Sequence, residues 1–322
     1  NVTSLGRSIS TGTAKTKHNI KRADRLLSNS HLQSAEQSVY RSLARHVLGA
    51  SATPIILVDW SDVDARREFF LLRAAVAVKG RSLTVYQEVH SRSTREKRRT
   101  HVRFLKNLKA ILPPGCVPII VTDAGFRTPW FKQVLALGWN FVGRVRNREH
   151  VQLQPNAAWI PAKSLYARAS SSPFRLSESS LTESNPLNCS LLLFRGKPKG
   201  RKRLTKMGHR ARSRTSLVSS ARAREPWLLA TSISAEIAPE RITAMYSTRM
   251  QIEESFRDLK CHRFGLSLYH NGTYKLCRMK VLILVGTLAT TFAWILGLAA
   301  KAADSHRQFQ ANTTTSVTVL SY

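Results

Sequence analysis

The chain has 322 residues, 43% of them hydrophobic, which is enough to bury a core and to form roughly two or three domains. Lysine and arginine total 51 against 19 aspartate and glutamate residues, so the formal net charge is +32 and nucleic acid is the expected partner. Ribosomal and chromatin-type structural proteins carry a similar charge, but they are usually shorter or lower in complexity, which counts against that class.

Residues 1–50 read as polar and helical, with a basic cluster, KTKHNIKRADRLL, at positions 15–27. Ile20, Leu26 and Leu27 form a weak apolar helix face with the cations around it. Those cations either cover a solvated helix surface or contact DNA phosphates, and both interpretations stay open. The candidate DNA-binding cations of this segment are Lys15, Lys17, Lys21 and Arg22.

From residue 51 the pattern changes to short apolar runs. The run TPIILVDW predicts a buried central strand that ends at Asp59, and AAVAVKG with RSLTVYQEV predicts a hairpin. The charged segment STREKRRTHVRFLKNLKAIL predicts a helix that ends before the sequence Pro-Pro-Gly. CVPIIVTDAGF repeats the strand pattern before Asp123, and TPWFKQVLALGW and NFVGRVR predict a helix and a further strand.

Residues 150–225 are rich in Ser, Pro and Asn and contain one clear strand, CSLLLFRG. Between Arg195 and Arg224 there are twelve Lys or Arg residues and no acidic residue, which indicates either a disordered basic loop or a nucleic-acid-binding insertion. PWLLATSI then predicts a strand, and APERITAMYSTRMQIEESFRDLK predicts one long helix that begins near Pro239. This order of strands and helices predicts a mixed α/β domain that is split by an insertion.

The segment 281–300, VLILVGTLATTFAWILGLAA, contains no charged residue and is long enough to span a bilayer. Cations lie on both sides of it, so there is no basic asymmetry that would set an orientation in a membrane. A helix that is buried on all sides in a large domain is the favoured interpretation. A basic membrane-associated protein is therefore the least favoured of the functions considered.

The four cysteines show no C-x-x-C pair and no zinc-ligand spacing, which favours reduced thiols over a disulfide or metal role. The first residue is Asn, and nothing near it resembles a signal peptide. We therefore expect the sequence to be a fragment of a longer chain.

Asp59 and Asp123 each follow a buried apolar run, which places both carboxylates where α/β folds keep their functional sites. Either residue alone is explained by a turn cap or by a local cation. Two such residues with the same preceding pattern, in a chain this poor in acids, favour a shared metal site. Asp62 is an alternative to Asp59, which is preferred because it directly ends the apolar run.

The stretch YSTRMQIEESFRDLK is predicted to form part of one continuous helix, which turns by about 100° per residue. With Tyr246 at 0°, Arg249 falls at about 300°, Glu253 at about 340° and Lys260 at about 320°. An ordinary solvated face with ion pairs between successive turns is the alternative. A carboxylate between phenolic and basic groups suits a phosphate-handling site better, with Glu253 on a divalent metal and the other three on phosphates.

The spacing Tyr246-x2-Arg249-x3-Glu253-x6-Lys260 resembles the YREK signature of bacterial insertion-sequence transposases of the DDE type. The segments VDWSD, VTDAGF, EPWLLAT and RMQIEESFRDLK are similar to those around the catalytic acids of that family. The resemblance covers almost the whole chain. It is closest to cut-and-paste transposases of the insertion-sequence-ten type, within the insertion-sequence-four family.

The resemblance implies an α/β fold with a ribonuclease-H-like catalytic core, a β-rich insertion and a helical N-terminal DNA-binding segment. It implies a catalytic triad, Asp59, Asp123 and Glu253, that binds two Mg²⁺ or Mn²⁺ ions. Trp227 matches a position on which the family stacks a flipped base, although a core tryptophan at a strand start explains it equally well. The implied segments are 1–50 (helical, DNA-binding), 51–149 (core, first part), 150–225 (basic insertion), 226–300 (core, second part) and 301–322 (start of a C-terminal region).

The implied substrate is double-stranded DNA, both the terminal inverted repeats of the element and the target. Water nicks the element end, the freed 3′-OH attacks the opposite strand to form a hairpin, a second water opens it, and the 3′-OH joins target DNA. The implied protein is a homodimer in its synaptic complex, works in the bacterial cytoplasm at the nucleoid and has no membrane partner. The alternative function is a truncated remnant that binds element ends, as an inhibitor, without completing transposition.

Overall fold

The computed structural model describes residues 2–9, 15–78, 80–146, 149–196, 209–210, 212–263, 265–270 and 272–309. The chain divides into two compact units. The first comprises Asn1–Ser51, Leu57–Cys116 and Met250–Tyr322, and the second comprises Ala52–Ile56 and Val117–Arg249. The division into five segments that was predicted above stays a prediction.

The helices in the described ranges are α1 (Val2–Arg7), α2 (Thr16–Leu27), α3 (Ser30–Leu48), α4 (Arg98–Ile111), α5 (Thr128–Ala136), α6 (Arg214–Arg224), α7 (Pro239–Ser247), α8 (Met250–Lys260) and α9 (Leu276–Ala302). The strands there are β1 (Ile55–Asp62), β2 (Phe69–Ala77), β3 (Ser82–Ser91), β4 (Ile119–Thr122), β5 (Asn140–Val145), β6 (His150–Gln152), β7 (Ile160–Pro161), β8 (Phe174–Leu181), β9 (Leu187–Phe194) and β10 (Trp227–Thr231). Short 3₁₀ helices cover Ala162–Arg168, Leu268–His270 and Ser305–Phe309.

In the first unit the strand order is β3-β2-β1, and β2 and β3 form the predicted antiparallel hairpin. The alternating burial expected of a sheet with one wet face is absent from β2 and from most of β3, because α3, α4, α8 and α9 all pack against β3. These strands are therefore almost continuously buried, and the polar residues within them, such as Arg73 and Gln87, are buried as well.

A buried polar network fastens the helices to this hairpin. The Gln87 side-chain amide donates to the Tyr40 hydroxyl at 2.7 Å and to Thr287 Oγ1 at 2.6 Å, and its oxygen accepts from Arg73 Nε at 2.8 Å. One glutamine on β3 thus satisfies polar groups on α3, β2 and α9. Burial raises the pKa of Tyr40, so the phenol stays neutral within this network.

In the second unit β4 pairs in parallel with β5, and β5, β10, β9, β8, β6 and β7 continue as antiparallel neighbours in that order. The segment Ala52–Ile56 belongs here because Val117 N–H and Ile119 N–H donate to the carbonyls of Ala52 and Pro54. Helix α7 packs on β4, β5 and β8. The result is a mixed α/β arrangement in which antiparallel pairing predominates.

Helix α5 approaches β5 closely because Gly143 has no side chain. A Cβ at this position would lie 2.2 Å from Phe131 Cζ, and the Phe131 ring is itself stacked on Phe141 with centroids 4.4 Å apart. Both rings are fully buried, so neither has space to move. Glycine is therefore required here by packing rather than by backbone conformation.

We expect Gly143→Ala to lower the free energy of unfolding by about 2 kcal/mol, because overpacking a close-packed core forces rings from their preferred positions. Urea denaturation monitored by circular dichroism measures the change. Gly272→Ala is the matched control, since a Cβ there meets no atom within 4 Å. Equal stabilities for the Gly143→Ala variant and the wild type would contradict the packing argument.

The structure confirms most predicted elements and changes the buried face of α2. On α2 the buried residues are Asn19, Ala23 and Leu27, so the predicted apolar face is confirmed for Leu27 and was wrong for Leu26, which is exposed. The predicted insertion contains strands β6–β9 and also helix α6. Much of its basic stretch, residues 197–208 and 211, lies outside the described residues.

Helix α9 contains the long apolar run. Its length and composition are sufficient for a membrane span, with mean hydropathy 2.2 in the most apolar window, but a core helix of a soluble protein passes the same test. Six of its seven buried residues lie between Met279 and Thr287, and the helix packs on β3, α2 and α3, while Leu288, Phe292 and Ile295 further along are exposed. The predicted burial on all sides was therefore wrong, because one side of the helix is buried up to Thr287 and much of the remainder is exposed or partly exposed.

Candidate active site

Asp59 lies inside β1 rather than at its end, because the strand continues to Asp62. The prediction that this carboxylate ends the strand was therefore wrong, although its burial, with 9% exposure, agrees with its place after the apolar run. Asp59 Oδ1 accepts a hydrogen bond of 2.8 Å from the backbone N–H of Trp60. This bond orients the carboxylate along the strand.

Trp60, the next residue, is held by two histidines. Its indole N–H donates to His101 Nε2 at 3.1 Å, and its ring packs edge-on against His90 with centroids 5.3 Å apart. An imidazole nitrogen that accepts a hydrogen bond must be unprotonated. Burial, followed by the proximity of His90, lowers the pKa of His101 to about 4, although Glu96 acts in the opposite direction.

The lowered pKa of His101 predicts a pH-dependent stability. The folded protein binds fewer protons than the unfolded chain between the folded pKa of about 4 and the ordinary value of about 6.5, so stability falls as the pH drops through this window. His101→Gln keeps an acceptor for Trp60 but has no titrating group. We expect its free energy of unfolding to fall by about 1–3 kcal/mol less than that of the wild type across this pH window. Urea denaturation between pH 4 and pH 7 measures it, and parallel curves for both proteins would contradict the prediction.

The predicted continuous helix is interrupted between Tyr246 and Glu253. Helix α7 ends at Ser247 and α8 begins at Met250. Backbone N–H groups of Thr248 and Arg249 donate to carbonyls three residues earlier, and the Thr248 hydroxyl also donates to the Met245 carbonyl. These short-range bonds replace the helical ones, so the prediction of one continuous helix, on which the stripe was calculated, was wrong.

Helix α8 is fixed in the first unit by polar contacts on its buried side. The Ser255 hydroxyl accepts from the backbone N–H of Ser82 at 2.8 Å, and Asp258 pairs with Arg81. Ile252, Phe256 and Leu259 are buried on the same helix, while Glu253 is exposed. The helix therefore presents the Glu253 carboxylate to solvent from a rigid support.

Lys260 is the last residue of α8 and lies beside the end of β1. Its ammonium donates to Ser61 Oγ at 3.1 Å and lies 3.8 Å from Asp62 Oδ1. The Tyr269 hydroxyl donates to the other carboxylate oxygen of Asp62 at 2.7 Å. The sequence identified Lys260 and Asp62 separately, and the structure brings them together.

Asp123 follows β4 directly, as predicted. Its Oδ1 accepts from the backbone N–H of Gly125 at 2.8 Å, and a Cβ on Gly125 would lie 3.0 Å from the same oxygen. The turn after the strand thus wraps around the carboxylate and holds it in place. The side chain is only partly buried, so it is accessible to a ligand.

Three of the predicted DNA-binding residues lie together in the second unit. The Trp227 and Tyr246 rings meet edge to face with centroids 4.8 Å apart, and the Arg249 guanidinium lies 6.0 Å from the Tyr246 centroid. Burial raises the pKa of Tyr246, which Arg249 and Arg144 partly offset and Asp123 reinforces. Tyr246 is therefore a neutral hydrogen-bonding group whose pKa is affected by the charges of Arg249, Arg144 and Asp123.

Arg144 and Arg146 were missed as site residues by the sequence analysis. Arg144 donates to the carbonyls of Glu225 and Pro226 at 3.4 Å each, and Arg146 Nε lies 3.4 Å from the Glu225 carboxylate. Burial lowers the pKa of Arg144, which means that its guanidinium is poorly hydrated. The sequence does contain a signal for them. Arg144 and Arg146 are two residues apart at the end of the predicted strand NFVGRVR, and residues two apart share one face of a strand, so they form a basic pair.

A cavity of about 220 Å³ opens beside Asp123 within the second unit. Its lining combines one carboxylate from the end of β4 with guanidinium groups from the end of β5. Such a mixture suits a phosphodiester. The guanidinium groups can bind its negative charge, and the carboxylate can bind a metal ion that promotes a reaction at phosphorus. The charged residues that line it are Asp123, Arg127, Arg144, Arg146 and Glu149.

The four basic residues that were predicted in the N-terminal segment lie just before α2, in its first turn and at its middle, and all are exposed. The opposite side of the helix is occupied by Asn19, Ala23 and Leu27, which are buried. Cations on the solvent side of a packed helix are free to contact a phosphate backbone. These residues are Lys15, Lys17, Lys21 and Arg22.

The predicted metal ligands are divided between the two units, with Asp59 and Glu253 in the first and Asp123 in the second. Within the described ranges, no three His, Cys, Asp or Glu side chains come together as a metal site. The donors nevertheless fit the expected ions chemically, because carboxylate oxygens are the ligands that Mg²⁺ and Mn²⁺ prefer. The shared role of the three carboxylates stays a prediction.

Comparison with known proteins identifies the family. Residues 50–285 match the family described as Transposase DDE domain, which covers well over half of the chain. Among curated proteins no match was found. The matched region includes the three predicted acids and all four residues of the predicted YREK pattern. The chain therefore belongs to the DDE transposases, enzymes that transfer polynucleotide strands.

Proposed function

We propose that this transposase works by the cut-and-paste route, with a ribonuclease-H-like core of the kind found in the insertion-sequence-four family. The observation that carries the proposal is the surroundings of Asp123. A carboxylate at a strand end lines one cavity with Arg144 and Arg146, and it acts electrostatically on Tyr246, which lies beside Arg249. That combination binds a phosphodiester and brings it to a metal-binding acid.

Asp59, Asp123 and Glu253 are the proposed ligands of two Mg²⁺ or Mn²⁺ ions. When bound, such ions activate the attacking oxygen and stabilise the leaving oxygen of an in-line displacement at phosphorus. The protein contributes the rigidity of the ligands. Asp123 is held by Gly125 N–H, Asp59 by Trp60 N–H, and Glu253 by the packing of α8.

The remaining site residues hold DNA. Arg249 and Lys260 are proposed to neutralise phosphates near the cleavage point, and the neutral phenol of Tyr246 donates a hydrogen bond to one of them. Trp227 is half-buried and offers its ring to a flipped base. In this arrangement water first nicks one strand, the 3′-OH then attacks the other strand and forms a hairpin, and after hairpin opening the 3′-OH attacks the target.

The α2 cations Lys15, Lys17, Lys21 and Arg22 are proposed to contact the terminal inverted repeat through its phosphates. Two copies of the chain would pair two element ends in a synaptic complex. We place this activity in the bacterial cytoplasm at the nucleoid, where both donor and target DNA are found.

The test uses the purified chain, a 5′-labelled duplex that carries the terminal sequence of the encoding element, and Mg²⁺ or Mn²⁺. Products are separated on a denaturing gel. We expect nicks and hairpins at the element end with the wild type and none with Asp123→Ala or Glu253→Ala. Glu254→Gln is the matched control, since this neighbouring carboxylate pairs with Arg257 at the surface and is expected to remain active.

Binding of the duplex without any cleavage by the wild type, with either metal, would overturn the cut-and-paste proposal. It would favour the alternative of a protein that occupies element ends as an inhibitor. Cleavage that survives Glu253→Ala would instead show that the assignment of the third acid is wrong.

A further inference from the structure

Lys260 is held by a cluster of three residues, here called the lysine clamp: Ser61, Asp62 and Tyr269. Ser61 Oγ accepts from the ammonium at 3.1 Å, and Asp62 Oδ1 lies 3.8 Å from it. The Tyr269 ring centroid lies 5.6 Å from the ammonium, within cation–π range. The Tyr269 hydroxyl closes the cluster by its 2.7 Å bond to Asp62 Oδ2.

The chain builds this clamp by folding back over the end of α8. Leu266 N–H donates to the carbonyl of Leu259, and Gly265 N–H donates to that of Cys261. A Cβ on Gly265 would lie 2.1 Å from the carbonyl oxygen of Asp258, so only glycine permits the close approach. The fold-back places the 3₁₀ turn that carries Tyr269 beside α8.

The clamp removes conformational freedom from a flexible side chain. A lysine side chain has many rotamers, and part of this conformational entropy is lost each time it engages a ligand. Here Lys260 is mostly buried and already held before any ligand arrives. Its ammonium has three donor hydrogens, so it can hold Ser61, face Asp62 and still donate to a phosphate oxygen.

Asp62 has no place in the proposed metal site, and Tyr269 lies outside the YREK pattern. Tyr269 donates to one Asp62 oxygen while the other oxygen faces Lys260, so the phenol fixes the orientation of the carboxylate. Burial raises the pKa of Asp62, but the hydrogen bond from Tyr269, the charges of Lys260 and Arg67 and a backbone hydrogen bond together lower it, which keeps the carboxylate charged. An ion pair at a half-exposed surface contributes little to folding stability by itself. The main effect of the cluster is therefore to fix the position of the Lys260 ammonium.

We infer that Asp62 and Tyr269 are positioning residues, which hold the Lys260 ammonium in the place where it meets a DNA phosphate. This inference rests on the proposed function, in which Lys260 binds phosphate. It goes further by assigning a role to two residues that the proposed function leaves without one. The consequence is that Tyr269 acts on DNA only through Lys260.

The test is a double-mutant cycle of Tyr269→Phe and Lys260→Met, neither of which adds a charge. The dissociation constant for the element-end duplex is measured at several salt concentrations. Lys260→Met is expected to weaken binding about 10-fold and to reduce the salt slope by about 0.9, because one phosphate contact is lost. Tyr269→Phe is expected to weaken binding about 5-fold without changing the slope, and to have no further effect when Lys260 is already Met.

Tyr274→Phe is the matched control, since Tyr274 is exposed and the Arg66 contact with its ring survives the substitution. A readout without DNA accompanies the cycle. The rate of Lys260 acetylation by an N-hydroxysuccinimide ester, followed by mass spectrometry, is expected to rise at least 3-fold in Tyr269→Phe and to be unchanged in Tyr274→Phe.

The outcomes separate two failures. If Lys260→Met has no effect on end binding, the phosphate role of Lys260 fails and the inference fails with it. If Lys260→Met weakens binding but Tyr269→Phe does not, or if Tyr269→Phe acts equally in both backgrounds, only the positioning role is overturned. Unchanged acetylation of Lys260 in Tyr269→Phe would likewise show that no clamp exists in solution.

Discussion

Replacing Asp123 by Asn is expected to abolish strand cleavage, by at least about 1,000-fold, while element-end binding is retained. The amide keeps an oxygen at the Oδ1 position, so the hydrogen bond from Gly125 N–H survives and the turn after β4 remains folded. What is lost is the negative charge that a divalent ion requires from its ligand. The substitution therefore separates metal binding from local structure.

Single-turnover cleavage of a labelled element end measures this effect, and a gel-shift titration of the same duplex in EDTA measures binding. The unfolding temperature is recorded as a control, and we expect it to change by no more than a few degrees because the side chain is partly exposed. Full cleavage by Asp123→Asn would remove Asp123 from the metal site. Loss of binding together with cleavage would show that Asp123 supports the fold rather than the chemistry.

Arg144→Ala is expected to slow cleavage about 100-fold and to weaken end binding, with a salt slope lower by about 0.9. The Arg144 side chain is 11% exposed, so its guanidinium has already lost most of its hydration and meets a phosphate without a further desolvation cost. Arg144→Lys is expected to recover only part of the rate. An ammonium cannot reach both the Glu225 and Pro226 carbonyls and a phosphate in the way that a planar guanidinium does.

Arg175→Ala supplies the matched control for this prediction. Arg175 also belongs to the second unit and donates to the carbonyls of Ile233, Ser234 and Ile237, so its removal costs similar structural hydrogen bonds. We expect both alanine variants to lose stability, but only Arg144→Ala to lower the salt slope. Equal salt slopes for the two variants would mean that Arg144 serves the fold and does not contact DNA.

Several elements were predictable from sequence because their signal is local. The apolar runs before Asp123 and around the β2–β3 hairpin are strands whose period and turn residues lie within about ten positions. The same holds for α4, whose apolar residues recur at helical spacing. The assignment of Asp123 to the end of a buried strand followed from these signals and is confirmed.

The prediction of one continuous helix over residues 246–260 failed because a side-chain hydrogen bond ends the helix where the residue spacing predicts that it continues. The spacing of Tyr246, Arg249, Glu253 and Lys260 fits one helix, yet Thr248 bonds back to Met245 and ends α7. Helical periodicity carries no information on such a side-chain bond, so the break could not be read from the spacing. The prediction of one continuous helix was wrong, and the choice of residues stays a prediction.

By itself the sequence determined the residue types on which the chemistry depends, the strands that carry them and the basic charge that makes DNA the partner. Only the tertiary structure decided which groups meet. Tyr269 reaches Asp62 from 207 positions away, and Gln87 reaches Thr287 from 200. It also left the second half of α9 exposed although its composition matches a buried helix. Burial and hydrogen-bond partners come from distant segments, and local patterns cannot specify them.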